Sequence, residues 1–212
     1  MEDLTGSRRV SVDGAGEVRV APTAASVSIG VEVTEATLPA ARDGAARQAA
    51  AMIAAVKQRG VPAADIQTGQ FSVAVLRDHD KKGDPTRVKG YQVRNSVDVV
   101  VRDLNLLGGV LDDALGSGAN QVSGPNFFVE QPEAHEDEAR AAAVRDARRK
   151  AETLAAAAGA GLGRVLVLDE GAVSRPRPRM MAAKAAMADA ATPIEAGSET
   201  ISVSVRGTWE LA

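Results

Sequence analysis

The sequence predicts an α+β fold, a mostly antiparallel sheet with Ala-rich helices packed on it, and three observations carry that reading. Residues 14–33 and 90–101 alternate apolar and polar side chains over much of their length, the pattern of sheets covered on one face only. Two long segments, Leu38–Arg59 and Pro132–Ala158, instead repeat their apolar residues at helical spacing. The strand segments fall in hairpin-like pairs interrupted by helices, as α+β domains are ordered. The expected order is approximately ββαββαβαββ.

Val10, Val12, Val18 and Val20 read as one strand interrupted at Gly14, Ala15 and Gly16, where a turn or bulge is expected. Val27, Ile29, Val31 and Val33 share one face of the next strand, with Ser26, Ser28, Glu32 and Thr34 on the other. A helix follows from about Leu38 to Arg59, with a stripe of Leu38, Ala41, Ala45, Ala49, Met52, Ile53 and Val56, and Gly60 and Pro62 stop it. Strands near Ile66–Leu76 and Val88–Arg102, joined by a polar loop, make a long-looped hairpin.

A second helix is expected over Leu104–Leu115, ended by Gly116 and Gly118. A strand at about Gln121–Glu130 leads to Pro132, which opens the longest helix. Glu133, Glu136, Asp137 and Glu138 suit the positive end of its dipole. Glu136 with Arg140, and Asp146 with Lys150, are spaced to support its exposed face. Ala139, Ala143, Ala147, Ala151, Leu154 and Ala158 are the expected buried face. A short strand at Arg164–Asp169, a long loop over 172–197 and a last strand at Glu199–Leu211 complete the chain. The recurrence of strand, helix and strand hints at two similar halves, about 10–102 and 103–211.

Composition narrows the class. At 212 residues the chain can bury a sizeable core, yet aromatic residues are only 2%, so Ala, Val, Leu and Ile must build it. A formal charge of −3 provides no global attraction to nucleic acid or to an anionic membrane. With no cysteine, disulfides, thiol catalysis and Cys-ligated zinc are excluded. No run approaches the roughly 20 apolar residues that cross a bilayer. Glu2 and Asp3 stand where a secretory signal carries base, so the expectation is a cytosolic protein or one made after removal of an export signal.

No motif assembles a catalytic constellation. Gly14 and Gly16 begin like a dinucleotide loop, but Arg19 takes the third glycine position and a strand follows instead of a helix. His79 lies between Asp78 and Asp80 in the polar loop, where alternate faces separate neighbouring side chains; it reads as solvated. His135 sits among the acids opening the long helix and reads as surface. The adjacent acids Asp112 and Asp113, and Asp169 and Glu170, read as solvated faces, because a perturbed carboxylate needs burial. No catalytic residue, cofactor or metal site is therefore expected, and no nucleic-acid partner.

Two places remain as candidate contact sites. Arg175, Arg177 and Arg179, spaced by prolines, with Met180, Met181 and Met187, form a basic and then flexible apolar stretch suited to a protein partner. Tyr91 and Asn95 share a strand face with Val93, Val97 and Val99, and an Asn on such a face pins a loop or a subunit contact through a hydrogen bond. Trp209 and Phe127 fit either core or interface.

Taken in order, several segments resemble the SIMPL-domain family, named for a signalling molecule that associates with a pelle-like kinase and widespread in bacteria as a domain of unknown function. They are the strand with Gly14, Gly16, Val18, Val20 and Pro22; Asp65, Ile66 and Thr68; Gly90, Tyr91, Asn95, Val97, Val99 and Asp103; the Ala-rich run 139–155 with Gly159, Leu162 and Gly163; and Pro193–Gly197 before Ser202–Val205. The resemblance covers about 10–211 as a single domain. It implies an α+β domain prone to homo-oligomerise, linked in bacteria to the envelope and to stress tolerance, with many relatives exported, and it carries over no catalytic residues. The expected function is a non-enzymatic homo-oligomeric assembly whose alternating strands pair between subunits. The alternative is a module that captures a protein or apolar ligand with the 172–197 loop. A dispersed acid-based enzyme site ranks third.

Overall fold

The computed structural model describes residues 8–79, 85–174 and 193–212. Seven strands and three α-helices follow in the expected order: β1 (Arg9–Val20), β2 (Ala24–Glu35), α1 (Leu38–Gln58), β3 (Ile66–His79), β4 (Pro85–Val101), α2 (Leu107–Gly116), β5 (Gln121–Phe128), α3 (Glu133–Ala157), β6 (Leu162–Ser174) and β7 (Glu199–Leu211). Every strand pairing is antiparallel. The strands divide into a three-stranded sheet, β1-β7-β6, and a four-stranded sheet, β3-β4-β2-β5. Each belongs to its own compact unit. The first contains 8–22, 129–174 and 197–212; the second contains 23–79, 85–128 and 193–196.

In the first unit α3 lies on β1 and β7. Its inward stripe is Ala139, Ala143, Ala147, Ala151 and Ala155, all buried, and the facing residues of β1 are Gly14 and Gly16. A Cβ on Gly14 would overlap the Ala143 carbonyl, and one on Gly16 the Ala139 carbonyl. With only alanine methyls on the helix and no side chain on the glycines, the helix backbone rests directly on the strand backbone. The two glycines are therefore neither turn nor bulge: β1 pairs with β7 without a break from Arg9↔Glu210 to Val20↔Glu199. Sequence reads Gly as punctuation, whereas here its role is close approach. Ile201, Val203 and Val205 fill the space between α3 and β7, and Trp209 is buried against Ala147 and Ala151. Its indole lies over Gly207, where any Cβ would collide with the ring.

The second unit has an ordinary branched core. Val27, Ile29 and Val31 of β2 and Val93, Val97 and Val99 of β4 meet Ala41, Ala45, Ala49, Met52 and Val56 of α1, with Leu107 and Val110 from α2. The Thr37 hydroxyl caps α1 by accepting from the Ala40 N–H at 3.4 Å, and Pro39 occupies its first turn. Phe127 and Ile194 pack half-buried at the rim of this core.

Several boundaries differ from the sequence reading. A short 3-10 turn over Leu104–Leu106 precedes α2, because the Asp103 carboxylate accepts from the Asn105 N–H and tightens the entry. On α3, Leu154 is 50% exposed while Ala155 is buried, since the inward stripe keeps a strict four-residue spacing. Glu136 is 6% exposed and not on the outer face, with Arg140 closing over it at 3.5 Å. β6 runs on to Ser174, so Ala172 and Val173 are strand. Residues 175–192 of the expected loop, with Arg175, Arg177, Arg179, Met180, Met181 and Met187, lie outside the described residues, and 193–197 have no regular secondary structure.

Candidate interaction surface

A helix layer narrower than its sheet leaves apolar side chains uncovered at the margin. Directly opposed residues of an antiparallel pair share a face. Phe71 opposes Asn95, Val73 opposes Val93, and Val75 opposes Tyr91, so the β3 row continues the helix-covered face of the second sheet. The helix cover ends before reaching it: Phe71 is 59% exposed, Val73 47% and Val75 46%. Asn95 and Tyr91 are half-buried between that row and β2, where they oppose Val31 and Glu35. The structure thus joins Tyr91 and Asn95 to an apolar edge that sequence periodicity treats as ordinary strand interior. Alternation shows which residues share a face and cannot show where the helix stops covering it.

The opposite face of this sheet is polar. Glu32 accepts from the Gln92 amide at 2.7 Å and pairs with Arg94. Asn120 extends the sheet with its side chain, accepting from the Glu32 N–H at 2.8 Å and donating to the Glu32 carbonyl at 2.9 Å. A shallow depression of about 260 Å³ lies over Gly30, rimmed by Ser28, Ser96, Gln70, Gln121 and Arg94. Its cation is already engaged by Glu32. Asn120 carried no sequence signal, because its partners are main-chain atoms of a strand 88 residues earlier.

One acid of each pair weighed as a catalytic candidate is placed in an ion pair, as are Asp13 and Asp146. Asp113 receives both arms of Arg59 at 2.6 and 2.7 Å, and that hydrogen bonding holds its carboxyl below the usual range. Glu170 accepts from Arg140 at 2.8 Å. Asp13 accepts from Arg206 at 2.7 and 3.1 Å, and is lowered for the same reason. Asp146 is lowered furthest, by hydrogen bonds from Lys150, the Ala15 N–H and Arg149. Glu199 shifts the other way, raised by burial. Asp113, Asp13 and Asp146 are held ionised by arginine or lysine, and Glu199 is the exception. Among the described residues no three His, Asp or Glu side chains converge as a metal site, and no helix is long and apolar enough to cross a membrane.

The four sheet margins differ in how open they are. Along β1 the Ala15 N–H donates to Asp146 at 3.1 Å and the Asp13 carbonyl accepts from Lys150 at 2.9 Å, so α3 already occupies part of that edge. β6 carries Arg164, Asp169 and Glu170 and breaks register three times. β5 is 8 residues long, contains Pro125 and breaks register against β2. From Ile66 to Leu76, β3 has no charged residue and no proline. After one irregularity at Gly69 it pairs evenly with β4 over Gln70–Leu76. Charges, prolines, bulges and covering helices are the devices that keep sheet edges from pairing, and this stretch has only the bulge at its start.

Comparison with known proteins places the chain. It is 34% identical to the 26 kDa periplasmic immunogenic protein of Brucella melitensis over 96% of this chain and 84% of that protein. It is 29% identical to the uncharacterized protein YggE of Escherichia coli K12 over 72% of this chain and 61% of that one, and 28% identical to YggE of Edwardsiella ictaluri over 74% and 65%. The family model SIMPL, described as a protein of unknown function (DUF541), matches residues 10–209. The chain belongs to the SIMPL family.

Proposed function

We propose that this protein is a non-enzymatic SIMPL-domain protein that acts as a homo-oligomeric assembly, linked to bacterial envelope or stress functions. The observation that carries the assembly is the open margin of β3, where exposed Phe71, Val73 and Val75 line a charge-free strand edge. An apolar strand edge of this kind favours a partner strand in water. The ion-paired carboxylates support the non-enzymatic reading, since acids whose pKa arginine lowers further from neutrality make poor proton donors or acceptors near pH 7. The envelope setting is supported by the relative named a periplasmic immunogenic protein.

Light scattering coupled to size-exclusion chromatography tests the assembly at micromolar concentration. A defined mass at a multiple of 21.8 kDa is expected, and a 21.8 kDa species throughout the concentration range overturns it. Fractionation of bacteria producing the protein from its native gene tests the setting, with recovery in the periplasmic fraction expected and recovery in the cytoplasmic fraction overturning it.

A further inference from the structure

We infer that β3 pairs antiparallel with β3 of a second copy, about a twofold axis at Val73; this rests on the homo-oligomeric reading above. The argument begins with self-complementarity. In an antiparallel pair of identical strands, each residue faces the one whose number completes a constant sum. A twofold axis normal to the sheet places one residue opposite its own copy. With Val73 at the axis, Val73 meets Val73, Phe71 meets Val75, and Val75 meets Phe71. All three exposed apolar side chains then gain apolar partners on the face where they lie.

Other centres do worse. With Ser72 at the axis, Val75 faces Gly69 and loses its partner. With Ala74 there, Phe71 faces Arg77. Around Val73 the opposite face aligns Ser72 with Ala74 and Gln70 with Leu76, with no charges opposed. Arg77 falls opposite Gly69, the residue at the register irregularity, and Asp78 falls opposite Thr68. Like charges directly opposed would weaken such a pair, and this register contains none. An even run of seven residues, Gln70–Leu76, is available on each copy, longer than a typical strand needs to be.

The chain has no cysteine, so single substitutions report geometry cleanly. Val73→Cys in the full chain should form an intersubunit disulfide on mild oxidation, because opposed antiparallel residues have Cα atoms about 4.5–5.5 Å apart, within disulfide reach. Val75→Cys should not, since its own copy lies four residues along the strand, about 13 Å away. Phe71→Cys combined with Val75→Cys should cross-link again. Val165→Cys, on the exposed margin of β6, serves as the collision control. The covalent dimer from Val73→Cys is expected about tenfold above Val75→Cys and Val165→Cys, as the distance limit for a disulfide requires.

Val73→Lys provides the second measurement. It places two ammonium groups opposite each other at the axis, and should lower the native mass at least twofold while leaving the far-UV circular dichroism of the folded chain unchanged. An oligomer that retains its mass with Val73→Lys, or whose Val73→Cys cross-links no better than the controls, overturns the β3 pairing and leaves the assembly intact through another surface. A monomeric wild-type chain overturns both. Should Val73→Lys fail to fold, the cysteine series decides alone.

Discussion

The two compact units solve one problem, a helix on an antiparallel sheet, with opposite materials. In the first, a poly-alanine stripe meets two glycines and backbone touches backbone. In the second, Val, Ile, Leu and Met side chains fill a wider gap between helix and strand. Where that stripe meets the glycines, there is almost no side-chain volume to lose and no room to gain. A surface of branched side chains has both. The first unit should therefore break when atoms are added, and the second when they are removed.

The largest effect is expected from Met52→Ala, in the fully buried centre of the second unit. Removing that side chain should cost about 2–5 kcal/mol of unfolding free energy by urea titration, from lost transfer energy plus the cavity left behind. Gly16→Ala should cost the first unit about 2–3 kcal/mol by the same measurement, because the new methyl can be housed only if α3 lifts from β1. A cost below about 0.5 kcal/mol at Gly16 would mean that the helix slides freely on the strand and the contrast is false.

A pH series separates the units by their ties. Asp146 anchors α3 to β1 and its folded pKa is depressed, so the unfolded state binds more protons as acid is added. Its stabilisation is complete above the ordinary aspartate value of about 3.9 and is lost as pH falls through the lower folded value. Asp146→Asn should therefore be less stable than wild type at pH 7, and the gap should close toward pH 2. Glu199, raised by burial, acts in the reverse sense, favouring the folded state below its ordinary pKa and losing that benefit as pH rises. A gap for Asp146→Asn that is the same at both pH values would mean the carboxylate's charge is irrelevant to the docking of α3.

The smallest effect sharpens the comparison most. Gly44→Ala, on α1 in the second unit, adds the same methyl as Gly16→Ala. Its nearest neighbour is the Val33 Cγ1 at 3.1 Å, a side-chain atom that can yield, instead of a carbonyl. Gly in a helix interior costs roughly 0.5–1 kcal/mol relative to Ala, so the gain in propensity should about cancel the crowding. A change within about 0.5 kcal/mol is expected. A loss as large as that at Gly16 would place the limit in the glycine itself and not in what it faces.

How much was legible follows from the range of each signal. The alternation in β2 and β4 and the stripes of α1 and α3 are local, and they returned the order of elements with boundaries mostly within a few residues. Irregular positions read less well: β6 ran five residues past Asp169, and Leu154 traded places with Ala155. Tyr91 and Asn95 were recognisable as unusual on an apolar face, but their neighbours Phe71 and Val75 belong to another strand and are named only by register. Asn120 and Asp146 hold distant main-chain atoms, and although the spacing to Lys150 marked Asp146, nothing local announced its bond to Ala15 or those of Asn120.

The sequence alone therefore determined the α+β class, the succession of ten elements and the family, because each rests on periodicities and segments read within a few turns of chain. Only the tertiary structure decided that β1 joins β7 across nearly the whole chain, that Gly14 and Gly16 are seats for a helix, and that β3 is an outer strand of its sheet among the described residues. These outcomes depend on which surfaces meet and where a covering helix ends. Such facts are set by long-range pairing and by side-chain volume, and a one-dimensional pattern does not contain them.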